Sequence, residues 1–365
     1  MSKLNIFNGA RVLVTGHTGF KGSWLSLWLT QLGAKVYGVS LDVPTDPSHF
    51  MSTELVHLLQ DLRLDVCEGS SLKNLVEAIQ PDFVFHLAAQ ALVRRSYSDP
   101  VVTWQTNTMG TINLLESLRG LTKPCVAVLI TSDKCYDNVE WVWGYRETDA
   151  LGGPDPYSAS KGAAELAIRS YLRSYFPTDG LIRIGVGRAG NVIGGGDWAE
   201  DRIVPDCMRA WSRGETVPLR NPSATRPWQH ALEPLSGYLN LALSLNESVT
   251  LHGQAFNFGP PAHQNHKVGE LVMAMSQHWD QVRWEDTSAE FGGPYESGLL
   301  KLNCDKALGH LNWRTVWDFD ETVRETVLWY RRFYEQPSLS IAEYSISQIQ
   351  AYVSAAQVQG LVWAR

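Results

Sequence analysis

Residues 11–25 read RVLVTGHTGFKGSWL, and the parsing of this stretch decides the fold. Val12–Thr15 is a short β-branched run, and Gly22–Leu32 has the apolar spacing of a helix. Three glycines, Gly16, Gly19 and Gly22, occupy the joint between them. The first allows a tight turn, the second lets backbone approach a pyrophosphate, and the third lets the helix lie close on the sheet. Free N–H groups and the dipole at the helix start favour an anion there. Asp42 ends the next strand 20 residues after Gly22. An acid at that point accepts hydrogen bonds from a ribose 2′-hydroxyl and repels a 2′-phosphate, so the expected cofactor is NAD rather than NADP. Asp46 and Asp65 are alternatives for that position. The plainer reading is a glycine-rich turn with a solvated Asp42.

Working outward, strands fit Val36–Ser40, Leu62–Val66, Phe83–Leu87 and Val126–Thr131, and helices fit Leu72–Ile79, Thr103–Leu118 and Tyr157–Tyr175. Continuous apolar strands alternating with helices indicate a parallel sheet covered on both faces. The expected fold is α/β, a Rossmann-type doubly wound parallel sheet with a smaller, discontinuous carboxyl-terminal substrate lobe. Residues 1–188 form the NAD-binding domain, with a return segment at 227–258 that includes a strand at Ala255–Phe258. Residues 189–226 and 259–365 form the substrate lobe, with helical patterns at Lys267–His278 and Glu321–Tyr334. The tail Leu339–Arg365 has roughly helical spacing and serves either internal packing or a subunit contact.

Composition narrows the function classes. Of 365 residues, 44% are apolar and 19% charged, ordinary for a globular protein. The net charge of −7, with no dense Lys/Arg block, argues against nucleic acid and anionic membrane as partners. No apolar run approaches the ~18 residues that span a bilayer, and no secretory leader is visible. Five scattered cysteines suit free thiols in a cytoplasmic protein, and neither they nor the ten histidines show metal-ligand spacing.

Tyr157 and Lys161 lie four residues apart in PYSASKGAAELA, on one face of a helix. An ammonium beside a phenol, with a positive nicotinamide close by, lowers the phenol pKa from ~10 toward neutrality. The phenolate can then take a proton from a sugar hydroxyl. The plainer reading is an amphipathic helix with a snorkelling lysine. At the end of the fifth strand, TSDKCYDN (131–138) places Asp133 beside Lys134 at the mouth of the sheet, where parallel sheets bind ligands.

TGHTGFKG, FHLAAQ (85–90), TNTMGTINLLE (106–116) and Tyr157-Ser-Ala-Ser-Lys161, in this order, resemble the extended short-chain dehydrogenase/reductase family. ITSDKCYDNVEWVWGYRE, RAGNVIGGGDW (188–198) and RPWQH (226–230) are similar to its sugar-nucleotide 4,6-dehydratases, and among these to those acting on CDP-D-glucose. The commoner dehydratase pair is Asp–Glu, from which Asp133–Lys134 departs. The resemblance implies a lyase of deoxysugar and polysaccharide biosynthesis. Its catalytic set would be Ser132, Asp133, Lys134, Tyr157 and Lys161. NAD would be held by Gly16, Gly19, Phe20, Gly22, Asp42, Asp65, Val66, Leu87, Ala88, Ala89, Tyr157 and Lys161. Ser96, Asn191, Arg202 and Arg226 would bind the nucleotide sugar, arginine forks suiting phosphate oxygens.

The implied cycle oxidises C4, so that the C5 proton becomes acidic, eliminates water across C5–C6, and returns hydride to C6. Tyr157 would act at C4, Lys134 at C5 and Asp133 on the C6 hydroxyl; the alternative for Lys134 is an ion pair tying down a loop. A 4-epimerase or reductase needs no acid at Asp133, and a non-catalytic NAD-binding regulator needs neither Tyr157 nor Lys161. The family is commonly dimeric or tetrameric. Trp141, Trp143 and Tyr145 form an aromatic insert that either caps the site or meets another subunit, and His230 reads as a packed histidine.

Overall fold

The computed structural model describes residues 3–280, 282–288 and 299–365. Among these, the central element is a parallel sheet of seven strands: β1 Arg11–Thr15, β2 Lys35–Ser40, β3 Gln60–Arg63, β4 Phe83–His86, β5 Cys125–Ile130, β6 Ile182–Ala189 and β7 Ala255–Phe258. Their spatial order is β7-β6-β5-β4-β1-β2-β3. The order reverses at β1, whose Thr15 is in register with Val39 on one side and His86 on the other. Loops leaving the carboxyl ends diverge at such a reversal and open a crevice.

Period-two alternation sorts the strand side chains into two cores. Val12, Val14, Phe83, Phe85, Val126 and Val128 join one, with helices α1 (Phe20–Gln31) and, further along, Leu232–Glu247. Leu13, Val84, Ala127 and Leu129 join the other, with α2 (Gly69–Ile79), α3 (Gly110–Leu118) and α4 (Pro156–Tyr175). Leu232–Glu247 is α5 hereafter, Phe319–Glu335 is α6 and Ile341–Val358 is α7.

Two expectations change. The stretch Thr103–Leu118 is not one helix: Pro100–Trp104 and α3 are joined by a wider-pitch turn, Gln105–Met109. There the Asn107 side chain bridges outward, its Nδ2 donating to the Gln90 carbonyl (3.1 Å) and to Ser160 Oγ (2.9 Å). Such π-type turns accommodate a side chain whose tertiary bonds outweigh regular helix geometry.

The carboxyl-terminal stretch, grouped by sequence with the second lobe, packs on the first. Trp28 of α1 meets Tyr352 of α7 at 5.9 Å and Trp363 at 6.1 Å, and the Lys3 N–H donates to the Arg365 carbonyl (2.7 Å). This explains why Trp24 through Leu29 are all buried: α1 is sandwiched between the sheet and the tail. Burying large apolar side chains of this kind contributes about 2–3 kcal/mol each. No described helix is long and apolar enough to cross a membrane.

Candidate active site

The turn after β1 has no room for side chains. Gly16 has φ +78°, and a Cβ there would sit 2.6 Å from the Ala88 nitrogen. A Cβ on Gly22 would sit 2.0 Å from the Gly16 carbonyl oxygen. Gly19 begins α1 without a side-chain cap, leaving the helix N–H groups to an outside acceptor. Thr15 Oγ1 accepts from the Ala88 N–H (3.3 Å), tying this turn to the Leu87–Ala88–Ala89 segment after β4. Asp42 is exposed just beyond β2, and its carbonyl accepts from the Thr18 hydroxyl (2.6 Å). Asp65 instead caps the Cys67 N–H (2.9 Å), while Val66 is buried against Gly110 and the Phe20 ring lies against Gly194. This cradle fits a dinucleotide. His17, overlooked in sequence, braces it: Nε2 meets Asp61 Oδ1 (2.9 Å) and Nδ1 meets Ser40 Oγ (3.0 Å).

β5 delivers the next group. Ser132, in extended conformation, caps the short turn Asp133–Cys135, accepting from the Lys134 N–H (3.2 Å) and donating to Asp133 Oδ1 (2.9 Å). The Asp133 side chain is buried, at 4% exposure, with no cation paired to it. Its Oδ2 faces Gly190, where a Cβ would come within 3.0 Å. Tyr157, 7% exposed on the first turn of α4, is hydrogen-bonded to Ser132. Lys161 is buried one turn on.

Burial dominates the electrostatics of this pair. Burial pushes the Tyr157 phenol up to about 12, opposed by the Ser132 hydrogen bond and the Arg202 charge. Burial pulls Lys161 itself down to about 8, helped by the nearby Lys21 charge. Desolvation dominates, because the phenolate is the charged form.

α4 is held by its own contacts. Asp155 caps its first turn through the Ser158 N–H (2.9 Å), and Ser160 bonds the Tyr157 carbonyl (2.7 Å) and receives Asn107. Below Lys161, Glu165 makes a two-pronged ion pair with Arg188 of β6 (2.7 and 2.8 Å) and accepts from Thr131 Oγ1 (2.6 Å). Arg188 also donates to the Tyr136 hydroxyl (2.7 Å), which donates to Asn257 Oδ1 (2.8 Å). A buried network thus links α4, β5, β6 and β7 under the site.

Lys134 is half-buried and forms no ion pair with Asp133 or any other described residue. Arg202 bonds Asp197 (2.7 Å) and lies near enough to Tyr157 to act on its phenol. Asn191 follows β6, half-buried, and Arg226 lies on a two-residue ladder with His266. Ser96 is buried, and its hydroxyl donates to the Val93 carbonyl (2.6 Å) on its own helix. The aromatic insert divides. Tyr145 is buried and stacked on Tyr136 (5.2 Å), whereas Trp143 is 70% exposed. His230 is buried edge-on to Trp317 (4.9 Å).

Residues 13–326 match the family model described as GDP-mannose 4,6 dehydratase. The CDP-glucose 4,6-dehydratase of Salmonella typhimurium is 45% identical over 356 residues, 96% of this chain and 98% of that protein. The chain belongs to the GDP-mannose 4,6 dehydratase family. Solved structures share its fold: UDP-glucose-4-epimerase from Stenotrophomonas maltophila (TM-score 0.76, 21% identity, 89% of this chain and 99% of that one) and dTDP-glucose 4,6-dehydratase from Bacillus anthracis (0.72, 20%, 90% and 98%). In this member of the GDP-mannose 4,6 dehydratase family, sequence reasoning passed over Lys21, Tyr238, Glu165 and Arg188. The one available signal was a lysine inside the glycine turn, at a place where a small or apolar residue would serve the helix.

Proposed function

We propose that this chain converts CDP-D-glucose to CDP-4-dehydro-6-deoxy-D-glucose, with NAD as resident cofactor. One observation carries the reading: a buried carboxyl, Asp133, held by the Ser132 hydroxyl that also meets Tyr157. Epimerisation or reduction at C4 needs no acid there. A donor for the C6 hydroxyl must sit beside the group that works at C4. The nucleotide follows the Salmonella relative, which is similar along nearly its whole length.

When bound, NAD supplies the hydride acceptor for C4 and the hydride donor for C6. The chain's own groups do the proton work. Ser132 holds the C4 oxygen and Tyr157 removes its proton, with Lys161 placing positive charge one turn away. The C4 ketone acidifies the C5 proton, which Lys134 takes as a neutral amine, the form that desolvation by bound substrate favours. Asp133, whose protonated form the same desolvation favours, gives its proton to the C6 hydroxyl, and water departs.

Gly16, Gly19, Gly22, Phe20, Asp42 and Leu87–Ala89 would hold the dinucleotide, with Asp65 and Val66 shaping the adenosine side. Asn191, Arg202 and Arg226 would hold the nucleotide sugar between the sheet and the lobe of 189–226 and 259 onward. The working form is a cytoplasmic homo-oligomer, supported by exposed Val101, Val102, Trp104 and Leu166 on neighbouring helices. The test is CDP-glucose deuterated at C4, given with catalytic NAD. Loss of water with deuterium on C6 of a 4-keto sugar is expected; an unchanged mass with a C4 epimer overturns the proposal.

A further inference from the structure

Two donors that converge near the carboxyl end of β6 have no acceptor among the described residues. Lys21, the second residue of α1, would ordinarily extend into solvent; here it folds inward, its ammonium 6.0 Å from the centre of the Tyr238 ring. It makes no hydrogen bond or ion pair with any described residue. The Tyr238 hydroxyl on α5 is wholly buried and likewise unpartnered. A buried hydroxyl left unbonded costs about 1–3 kcal/mol, so this one favours an acceptor.

The two donors lie together, the Lys21 ammonium over the Tyr238 ring, and both feel the charge of Asp133. The charge of Asp133 acts on Lys21 and on Tyr238, and Tyr157 also acts on Tyr238. The end of β6 leaves room for this convergence. A Cβ on Gly187 would strike the Tyr238 ring at 2.8 Å, and one on Gly190 would reach Asp133 Oδ2 at 3.0 Å. The Phe258 ring, edge-on at 5.6 Å, fixes the orientation of Tyr238.

We propose that Lys21 and Tyr238 are further catalytic residues that receive the C6 oxygen as it leaves as water, an assignment that rests on the dehydration proposed above. In that step the base takes the C5 proton, and the C5–H electron pair becomes the C5=C6 π bond. The C6–O bond breaks with its pair on oxygen, and the Asp133 proton completes the water. Asp133 is left as carboxylate and nothing is oxidised or reduced. Lys21 and Tyr238 give only hydrogen bonds, which strengthen as negative charge develops on that oxygen. Burial and Arg202 lower the Lys21 pKa to about 8, so the ammonium is still its main form at pH 7.

The experiment compares Lys21→Met, which keeps chain length over the ring, and Tyr238→Phe with wild type on two substrates. CDP-glucose requires loss of the C6 oxygen; CDP-6-deoxyglucose permits only C4 oxidation, followed as NADH absorbance. Dehydration is expected to slow about 100-fold in Lys21→Met and about 10-fold in Tyr238→Phe. NADH formation from the 6-deoxy sugar should stay within about threefold. Equal losses on both substrates would overturn the assignment and place Lys21 at the cofactor instead. Dehydration at the wild-type rate in both variants would overturn it as well. A wild-type protein that removes no water from CDP-glucose defeats the dehydratase reading itself, an outcome visible before either variant is made.

Discussion

The Ser132 hydroxyl donates to Asp133 Oδ1 at 2.9 Å while accepting from the Lys134 N–H at 3.2 Å, so one side chain orients the acid and fixes the turn that presents the lysine. Because the same hydroxyl meets Tyr157, the groups assigned to C4, C5 and C6 share a single hinge.

Separating the two neighbours tests their roles. Asp133→Asn keeps the shape and loses the proton; dehydration should fall by about 10²–10⁴-fold while C4 oxidation persists, so reduced nicotinamide accumulates in single-turnover absorbance. Lys134→Ala should abolish deuterium wash-in at C5 in heavy water, read by NMR, with C4 oxidation still detectable. Wild-type exchange in that variant would assign the base elsewhere.

Gly22→Ala should disable the cofactor cradle, since its Cβ would lie 2.0 Å from the Gly16 carbonyl oxygen and neither backbone can yield. A loss of more than about tenfold in NAD affinity by calorimetry is expected, with little change in helix content.

Arg188→Met leaves the Glu165 carboxylate buried without its partner. Breaking a buried ion pair from one side costs about 3–5 kcal/mol, measurable as a lower urea midpoint. The double variant Arg188→Met, Glu165→Leu should regain part of this, because no charge is then stranded.

Stability should depend on pH in two opposing ways. His49, His86 and His230 are held neutral by burial, each lowered to about 3. Below pH ~6.5 the unfolded chain binds protons that the folded one refuses, so stability falls as pH drops, by up to about 1.4 kcal/mol per pH unit for each group. Glu233 runs the other way. It is buried and accepts from the Val316 and Trp317 N–H groups (2.9 and 2.8 Å) and the Tyr352 hydroxyl (2.7 Å), and desolvation raises its pKa to about 7. Its contribution is fully present below pH ~4.5 and is lost as pH rises through 7. Relative to wild type, Glu233→Gln should therefore lose stability at pH 5 and recover it at pH 8, seen in paired thermal melts.

Much of the fold was legible because it is local. β7 lies at the residues expected for it, and the ends of β1 to β5 agree within a few residues, since apolar runs bounded by turn residues carry their own signal, whereas β6, Ile182–Ala189, was not among the strands read from the sequence. The glycine turn was legible because close backbone approach admits no other residue at Gly16 and Gly22. The break at Gln105–Met109 was not, because it serves contacts of Asn107 with Gln90 and Ser160, distant in sequence.

The sequence by itself determined the parallel sheet, the dinucleotide turn and the residue types for proton transfer, because periodicity and short-range sterics act between near neighbours. Only the tertiary structure decided that Tyr157 is pushed up to about 12, that Arg188 neutralises Glu165, and that the Lys21 ammonium lies over the Tyr238 ring. Desolvation and charge act through space, between side chains as far apart in the chain as positions 21 and 238, and no local pattern records them.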